Sequence, residues 1–498
     1  MLNVVTGRVL IVGGGVGGLT AALGLARRGF EVEVLERDPL PDVTDAEAAF
    51  AAERRGAPQV HQTHGFLARL VVELRDRHPD VLDQLLDAGC VTMPTTTQLG
   101  DPRPGDEDLR VLVVRRTTLE WVLRRAVADE PGVTMHTGVG VQGLLGTSAG
   151  DGRPAVVTGV VTDDGQERHA DIVVAANGRR SPVGRWLDEL GVAVPETVHE
   201  SGLMYLSRWY RFADDAEIVL DPKLGGDLGF VKYLAVPGDG GTLSITLAIR
   251  TEDAELRAAL SDADAFEHAC RILPGPDRFV GRYDLTPLGG VRPMTGLLNR
   301  IRRFVDDDGN PTVLGFHALG DSHTCTNPLY GRGCALAAVQ ANRLVDAATA
   351  HPDDPSARAI AYEQTLAREV EPWFDISVQM DRMGADPAGL AIGGGAGSDG
   401  GGAKAMGALF AAAATDPVIG RGMARFWNLL ALPADLMTDP ELMARMAEVM
   451  ADPDAWPMPP VEGPNRTELL DALAALPTDP NEDPVPTTSD RTTDRAAS

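Results

Sequence analysis

Cysteine, positive charge and long apolar runs are all scarce in this chain, and each scarcity excludes a class of protein. Its four cysteines, Cys90, Cys270, Cys325 and Cys334, are too few for a disulfide framework in 498 residues and stand in no CxxC pairing of the zinc kind. Lysine and arginine number 45 against 72 aspartates and glutamates, and the resulting net charge of −27 works against a nucleic-acid backbone or an anionic membrane as partner. The most apolar stretch, Ala405–Ala414, is short and bounded by Lys404 and Asp416, well below the roughly 20 residues of a transmembrane helix. Met1–Thr6 shows no basic segment leading into an apolar one, so no secretory signal is expected and the setting that fits is cytoplasmic. What the chain does have is 44% hydrophobic and 23% charged residues, the balance of a globular protein with room for several structural units.

The order of patterns predicts an α/β fold. Arg8–Gly13 is an apolar run ending in glycines, followed by a small-residue helix to Arg28 and a second strand, Glu31–Glu36, the start of a βαβ unit. A strand and amphipathic helix over Val111–Asp129 come next, then a β-meander of Val133–Gly143, Ala155–Thr162 and Glu167–Ala175 that returns to the parallel sheet. Strand-like pieces between about 197 and 300, with a helix near Asp253–Cys270, suggest an inserted sheet domain. The strand at 312–321 and the helix after Gly333 resume the first domain. Beyond 372 the pattern is helical, broken by a glycine-rich loop at 393–402, and the last residues, rich in Pro, Asp, Thr and Ser, read as disordered. The expected boundaries are 1–195 with 301–372 for a Rossmann-type domain, 196–300 for the inserted sheet, 373–477 for a helical region and 478–498 for the tail.

Chemistry enters with Gly13-Gly14-Gly15-Val16-Gly17-Gly18, a GxGxxG placed between a strand and a helix. The glycines permit a tight turn and close approach to a pyrophosphate, while the helix N-terminus supplies amide donors. Glu36, eighteen residues after Gly18, ends the second strand, where a carboxylate accepts hydrogen bonds from an adenosine ribose. A second GxGxxG at Gly138–Gly143 lies inside a strand, and a GxSxG around Ser148 runs into a turn, so neither has the context its chemistry needs. Around 320, a strand ends in Gly320-Asp321 and a loop with proline and glycines leads to a helix beginning near Gly333. Such a loop can lay backbone amides against a flat ring, with Asp321 on a polyol chain or capping the turn.

With Ala170–Ser181 (ADIVVAANGRRS) between them, the Gly13–Gly18 motif with Glu36 and the Gly320–Gly333 segment make three ordered motifs that resemble the FAD-dependent monooxygenases of the p-hydroxybenzoate hydroxylase fold (GR2-like). Within that group, Pro58–His64 and Asn327–Gly333 are similar to the squalene-epoxidase-like branch that includes bacterial polyether epoxidases. The resemblance implies FAD with its pyrophosphate at Gly13, Gly15, Val16 and Gly18 and its ribose at Glu36 and the adjoining Arg37. It further implies contacts at Arg116, the ribityl chain near Asp321, and an isoalloxazine-lining loop with Pro328, Gly331 and Gly333. The activity it implies is insertion of one oxygen atom from O2, by way of a flavin C4a-hydroperoxide, into a small apolar organic substrate, by epoxidation or hydroxylation. The cofactor carries that chemistry, so no catalytic acid–base dyad is expected. One departure is Asn177-Gly178 where the family has Asp-Gly, which keeps a hydrogen bond but loses a charge. NADPH or NADH then serves as reductant either directly or through a separate flavin reductase. The rivals are a flavin-dependent reductase of the geranylgeranyl-reductase kind and a non-catalytic binding protein on the same fold.

Other residues carry open readings. His61, His64 and His78 lack the carboxylate or cysteine that would complete a metal site, so no metal is expected. His323 either faces the flavin or satisfies a loop carbonyl. Cys325 and Cys334 flank the same loop, where small residues suit close backbone approach better than a redox pair does. Tyr205, Trp209, Tyr210, Phe230 and Tyr233 either wall an apolar substrate pocket or pack a core.

Overall fold

The strand Arg8–Val12 (β1) is apolar on both faces, and this decides where it sits. Val9 and Ile11 enter one hydrophobic cluster while Leu10 and Val12 enter another, which requires cover above and below the sheet. In the computed structural model, which describes residues 7–150, 152–213, 225–385, 401–457 and 462–476, β1 is the centre of a five-stranded parallel sheet. The helix Val16–Ala26 (α1) follows it, buried along nearly its whole length, and returns the chain to Glu31–Glu36 (β2) beside β1. The helix Arg116–Asp129 (α2), Val133–Thr137 (β3) and Ile172–Ala175 (β4) come next, and Phe316–Ala318 completes the sheet from far along the chain.

Several segments differ in detail from the sequence pattern. Val133–Gly143 is two strands, because the chain turns at Gly138 (φ +73°) and leaves the parallel sheet for an antiparallel meander at Val141–Thr147. The helix expected near Asp253–Cys270 is also two, Ala254–Ser261 and Ala263–Ile272, since the Asp262 carboxylate accepts from the Asp264 and Ala265 amides and starts a new helix. Of the glycine-rich 393–402, positions up to 400 lie outside the described residues, and Gly401 and Gly402 open a helix instead of extending a loop. The tail, 478–498, also lies outside the described residues.

The inserted sheet is built on Leu203–Phe212 (β5), Val231–Gly238 (β6) and Thr242–Arg250 (β7), with β7 paired antiparallel to both neighbours. One face packs on the two helices that follow it, around Tyr210, Ile245 and Phe266. The other turns toward the parallel-sheet domain. Leu298–Arg302 (β8) and Phe316–Ala318 (β9) then lead into the loop 320–332 and the long helix Gly333–Ala350 (α3), which packs against α1. Glu371–Ala385 (α4), Gly401–Ala413 (α5) and Pro417–Trp427 (α6) cover the side where the two sheets meet. The last described helix, Arg466–Ala474, instead joins the insert: Leu469 and Leu473 enter its core, and Arg466 pairs with Asp253 at 2.8 Å.

Candidate functional site

The ends of β1, β2 and β4 and the start of α3 converge on a cavity of about 380 Å³. Gly13 and Gly15 enter its wall by opposite means. Gly13 takes φ +116°, and a Cβ there would run into the Ala176 carbonyl oxygen. Gly15 has ordinary extended backbone, and a Cβ on it would meet open space. Val16, Glu36, Arg37, Arg116, Asp321, Pro328, Gly331 and Gly333 line the same cavity. Gly18 does not line it; it backs the wall, pressed so closely on the Gly13 carbonyl that no side chain fits between α1 and the loop.

Glu36 is held by the backbone, its Oε2 accepting from the Gly14 amide and its Oε1 from the Asp38 amide, both at 2.9 Å. From there a buried ion network crosses the cavity floor. Arg54 bridges Glu36 (3.3 Å), Asp38 (3.0 Å) and Glu120 (2.7 Å), and Glu120 in turn holds Arg116 at 2.8 Å. Burial alone would push the Glu120 carboxyl up, but Arg116, Arg54 and Arg124 outweigh it and bring it down to about 2. Arg116 also reaches the Cys334 sulfur at 3.1 Å and His64 Nε2 at 3.4 Å. Burial, helped by Arg116, lowers His64 to about 4 and so keeps it neutral. The pattern of sequence near Gly13 gave no sign of Arg54 or Glu120; a glutamate one turn after Arg116 is an ordinary helix pair, and only the fold shows that it is buried.

At the opposite end, burial pushes the Asp321 carboxyl up while Arg116, Arg179 and Arg300 oppose it. Asn177 Oδ1 accepts from Ser322 Oγ, which in turn accepts from the Gly178 amide, each at 3.0 Å, so this amide ties two loops together at the cavity wall. Thr326 Oγ1 is buried there without a hydrogen-bond partner. His323 does not line the cavity, and its Nδ1 lies 2.7 Å from the Thr324 hydroxyl with its ring near Phe304, so it meets neither expectation, facing the cofactor cavity or satisfying a loop carbonyl. Burial raises the thiols of Cys325 and Cys334, and both cysteines are free. His61 packs on Phe50, His78 lies between Arg27 and Asn342, and among the described residues no group of histidines, cysteines and carboxylates could hold a metal ion.

A second, larger cavity of about 700 Å³ adjoins the first. Thr63, Gly65, Tyr205, Pro328 and Gly331 line both. Its other walls are mainly apolar, with Met93, Val111 and Val113 from a β-hairpin, Leu234 and Ala248 from the insert, and Phe410 and Trp427 from α5 and α6. Of the five aromatics singled out in the insert, Tyr205 and Tyr233 line this cavity. Tyr210 and Phe230 pack with the core on the far face of the sheet, and Trp209 is spent on Phe50 and a hydrogen bond to the His61 carbonyl. Side chains alternate across a strand, so Tyr210 cannot share the face of Tyr205.

Residues 8–112 match the family model described as FAD dependent oxidoreductase. Zeaxanthin epoxidase from Solanum lycopersicum is 31% identical over 190 residues, 35% of this chain and 25% of that protein. The chain therefore aligns with about a quarter of the length of the zeaxanthin epoxidases it matches. Kynurenine 3-monooxygenase from Salinispora tropica is 26% identical over 384 residues, covering 74% of this chain and 78% of the relative. Among solved structures, p-nitrophenol 4-monooxygenase PnpA from Pseudomonas putida superposes with a TM-score of 0.58 at 16% identity, over 86% of this chain and 99% of that one. No helix among the described residues is long and apolar enough to cross a membrane.

Proposed function

We propose that this chain, which has the fold of the FAD-dependent monooxygenases and carries an FAD-dependent oxidoreductase domain at residues 8–112, is itself an FAD-dependent monooxygenase acting on an apolar organic substrate. The observation that carries the reading is the pair of adjoining cavities, one more polar and edged by the glycine loop at Gly13–Gly17, the other large and mainly apolar, sharing a wall at Thr63, Gly65, Tyr205, Pro328 and Gly331. The residues present fit FAD. The open space beside Gly15 and Gly333 leaves the N-termini of α1 and α3 accessible to phosphate and to a ring edge, and the unpartnered Thr326 hydroxyl awaits a polar atom. Gly13, Gly15 and Val16 would hold the pyrophosphate, Glu36 and Arg37 the adenosine end, Asp321 the ribityl chain, and Pro328, Gly331 and Gly333 the flavin ring, with Arg116 near it.

When bound and reduced, FAD supplies the activation of O2 for transfer of one oxygen atom. The chain's own residues perform the rest. The apolar cavity desolvates the substrate, the loop 327–333 fixes the spacing between the two cavities, and Arg116 and the start of α3 place positive potential against charge that develops there. Reducing equivalents come from NADPH or NADH, and Asn177, committed to Ser322, favours delivery by a separate flavin reductase over direct use.

The test is turnover of alkenes and electron-rich aromatics under 18O2, with mass spectrometry of the product. One labelled oxygen atom per product, and none without O2, is the expected result. A saturated product formed anaerobically would establish a reductase instead, and protein that purifies colourless and takes up no FAD would establish a binding protein. Anaerobic mixing with NADPH, with and without a flavin reductase, separates the two electron routes.

A further inference from the structure

The larger cavity is mainly apolar, and one of its polar places is organised by hydrogen bonds alone. Asp381, on α4, lines it. Its carboxylate accepts from Asn299 Nδ2 at 2.6 Å, and from Asn327 Nδ2 and Tyr330 Oη at 2.8 Å each. The direction of these bonds is fixed from outside. The Asn299 Oδ1 accepts the Asn327 amide at 2.8 Å, and the Asn327 Oδ1 accepts Tyr205 Oη at 2.5 Å and the Leu329 amide at 3.2 Å. Both side-chain amides must therefore turn their NH2 groups to Asp381, which is held as an acceptor.

The other charges on the cavity wall are matched: Lys232 pairs with Asp227, and Arg250 with Glu252. Among the described residues, Asp381 is the one lining charge without a salt-bridge partner. The nearby Arg332 stands behind the loop, its guanidinium 4.9 Å from the Tyr330 ring centre and bonded to Ser377. With three donors on two oxygens, the carboxylate keeps room for a further one. Any carboxylate brought into this cavity would face a like charge in a poorly solvated space, whereas a hydroxyl or ammonium group would complete the set.

We propose that this cavity selects apolar molecules bearing a hydrogen-bond donor, a hydroxyl or a protonated amine, and rejects carboxylates, with Asp381 as the specificity-determining residue. The proposal rests on the monooxygenase reading only for calling this molecule the substrate; the selectivity itself is a property of binding. Its probes are 1-dodecanol, dodecylamine and dodecanoate, titrated below their aggregation limits into the full-length FAD-loaded protein at pH 8. Binding is followed by calorimetry and by the flavin difference spectrum.

The alcohol and the amine are expected to bind at least about tenfold more tightly than dodecanoate. In Asp381→Asn the gap should close to within about threefold, through tighter dodecanoate binding as well as weaker alcohol binding. Met93→Trp, which fills the cavity from the hairpin wall, away from the Asp381 cluster and the shared wall, should abolish binding of all three while FAD is retained. Dodecanoate binding as tightly as dodecanol to the unaltered protein would overturn the proposal. So would a preference that survives in Asp381→Asn, or probe binding that survives in Met93→Trp. If Asp381→Asn does not fold, the native preference together with Met93→Trp still decides. Failure of the oxygen-transfer test would leave all these binding results standing, so the two readings fail separately.

Discussion

The two cavities are neighbours built on different physics. The smaller is walled by backbone turns and floored by a buried ion network that runs from Glu36 through Arg54 and Glu120 to Arg116. The larger is walled mainly by apolar side chains from a hairpin, the inserted sheet and C-terminal helices, and among its described lining charges only the Asp381 carboxylate lacks a salt-bridge partner. A site for an invariant cofactor can be made from the main chain and paired charges, because nothing in it needs to vary. A site for a particular substrate is made from interchangeable apolar side chains, and its selectivity rests on few polar atoms.

The contrast is most severely tested at Glu120. Replacing it with alanine takes the carboxylate partner from Arg116 and Arg124 and leaves Arg54 only Glu36 and Asp38, and removal of one partner from a buried ion network costs about 3–5 kcal/mol. We expect a fall of that size in urea-unfolding free energy, together with loss of FAD. A change below about 1 kcal/mol would mean that the network is not the floor it is described to be.

Acid gives the next largest effect. Glu120 sits near 2 when folded against an ordinary 4.5, so its contribution of about 3 kcal/mol is complete above the ordinary value and is lost as pH falls from there toward 2. His64, lowered from 6.5 to about 4, acts in the same direction over a higher range: the unfolded chain takes up this proton first, so acidification from 6.5 toward 4 also favours unfolding. The stability of the FAD-free protein should therefore fall steadily below pH 6.5, and Glu120→Gln should flatten the part below 4.5.

A pair of glycines sharpens the comparison within the smaller cavity. Gly13→Ala forces an L side chain into φ +116° against the Ala176 carbonyl and should cost about 1–3 kcal/mol even without cofactor. Gly15→Ala points into open space and should leave the FAD-free melting temperature nearly unchanged while weakening FAD binding. Equal melting temperatures for the two variants would contradict the distinction. A modest effect belongs to the shared wall. Tyr205→Phe removes one hydrogen bond to Asn327 and should cost about 1 kcal/mol, with FAD affinity kept and product formed per O2 consumed reduced.

How far the sequence disclosed all this follows the same division. The strand–glycine–helix signature at Gly13–Gly18 and the acid at the end of β2 are local patterns, so they are readable where they stand, as is the turn from Asp321 to Gly333. The fold class followed from the order of such patterns. Arg54 and Glu120 left no mark, because a buried ion pair looks like a surface one until packing is known. Asp381 lies on α4 in a helix of ordinary composition, and its partners come from β8 and the loop before α3, more than fifty residues away. Tyr210 and Phe230 were drawn toward the pocket by residue type alone, while the two-residue alternation of the sheet assigned Tyr210 to the other face.

At the boundary, the backbones of Gly65 and Gly331 approach so closely that a Cβ on Gly331 would lie 3.2 Å from the Gly65 carbonyl oxygen, and both residues face both cavities. That pinch divides the molecule's evolutionary freedom. Change at the shared wall alters two fittings at once and is penalised twice. Change at Met93, Val111, Phe410 or Trp427, on the walls away from the pinch, alters one. Paralogues of this chain that have taken up new substrates should have diversified along the hairpin and the C-terminal helices, leaving the seam between the cavities as their common inheritance.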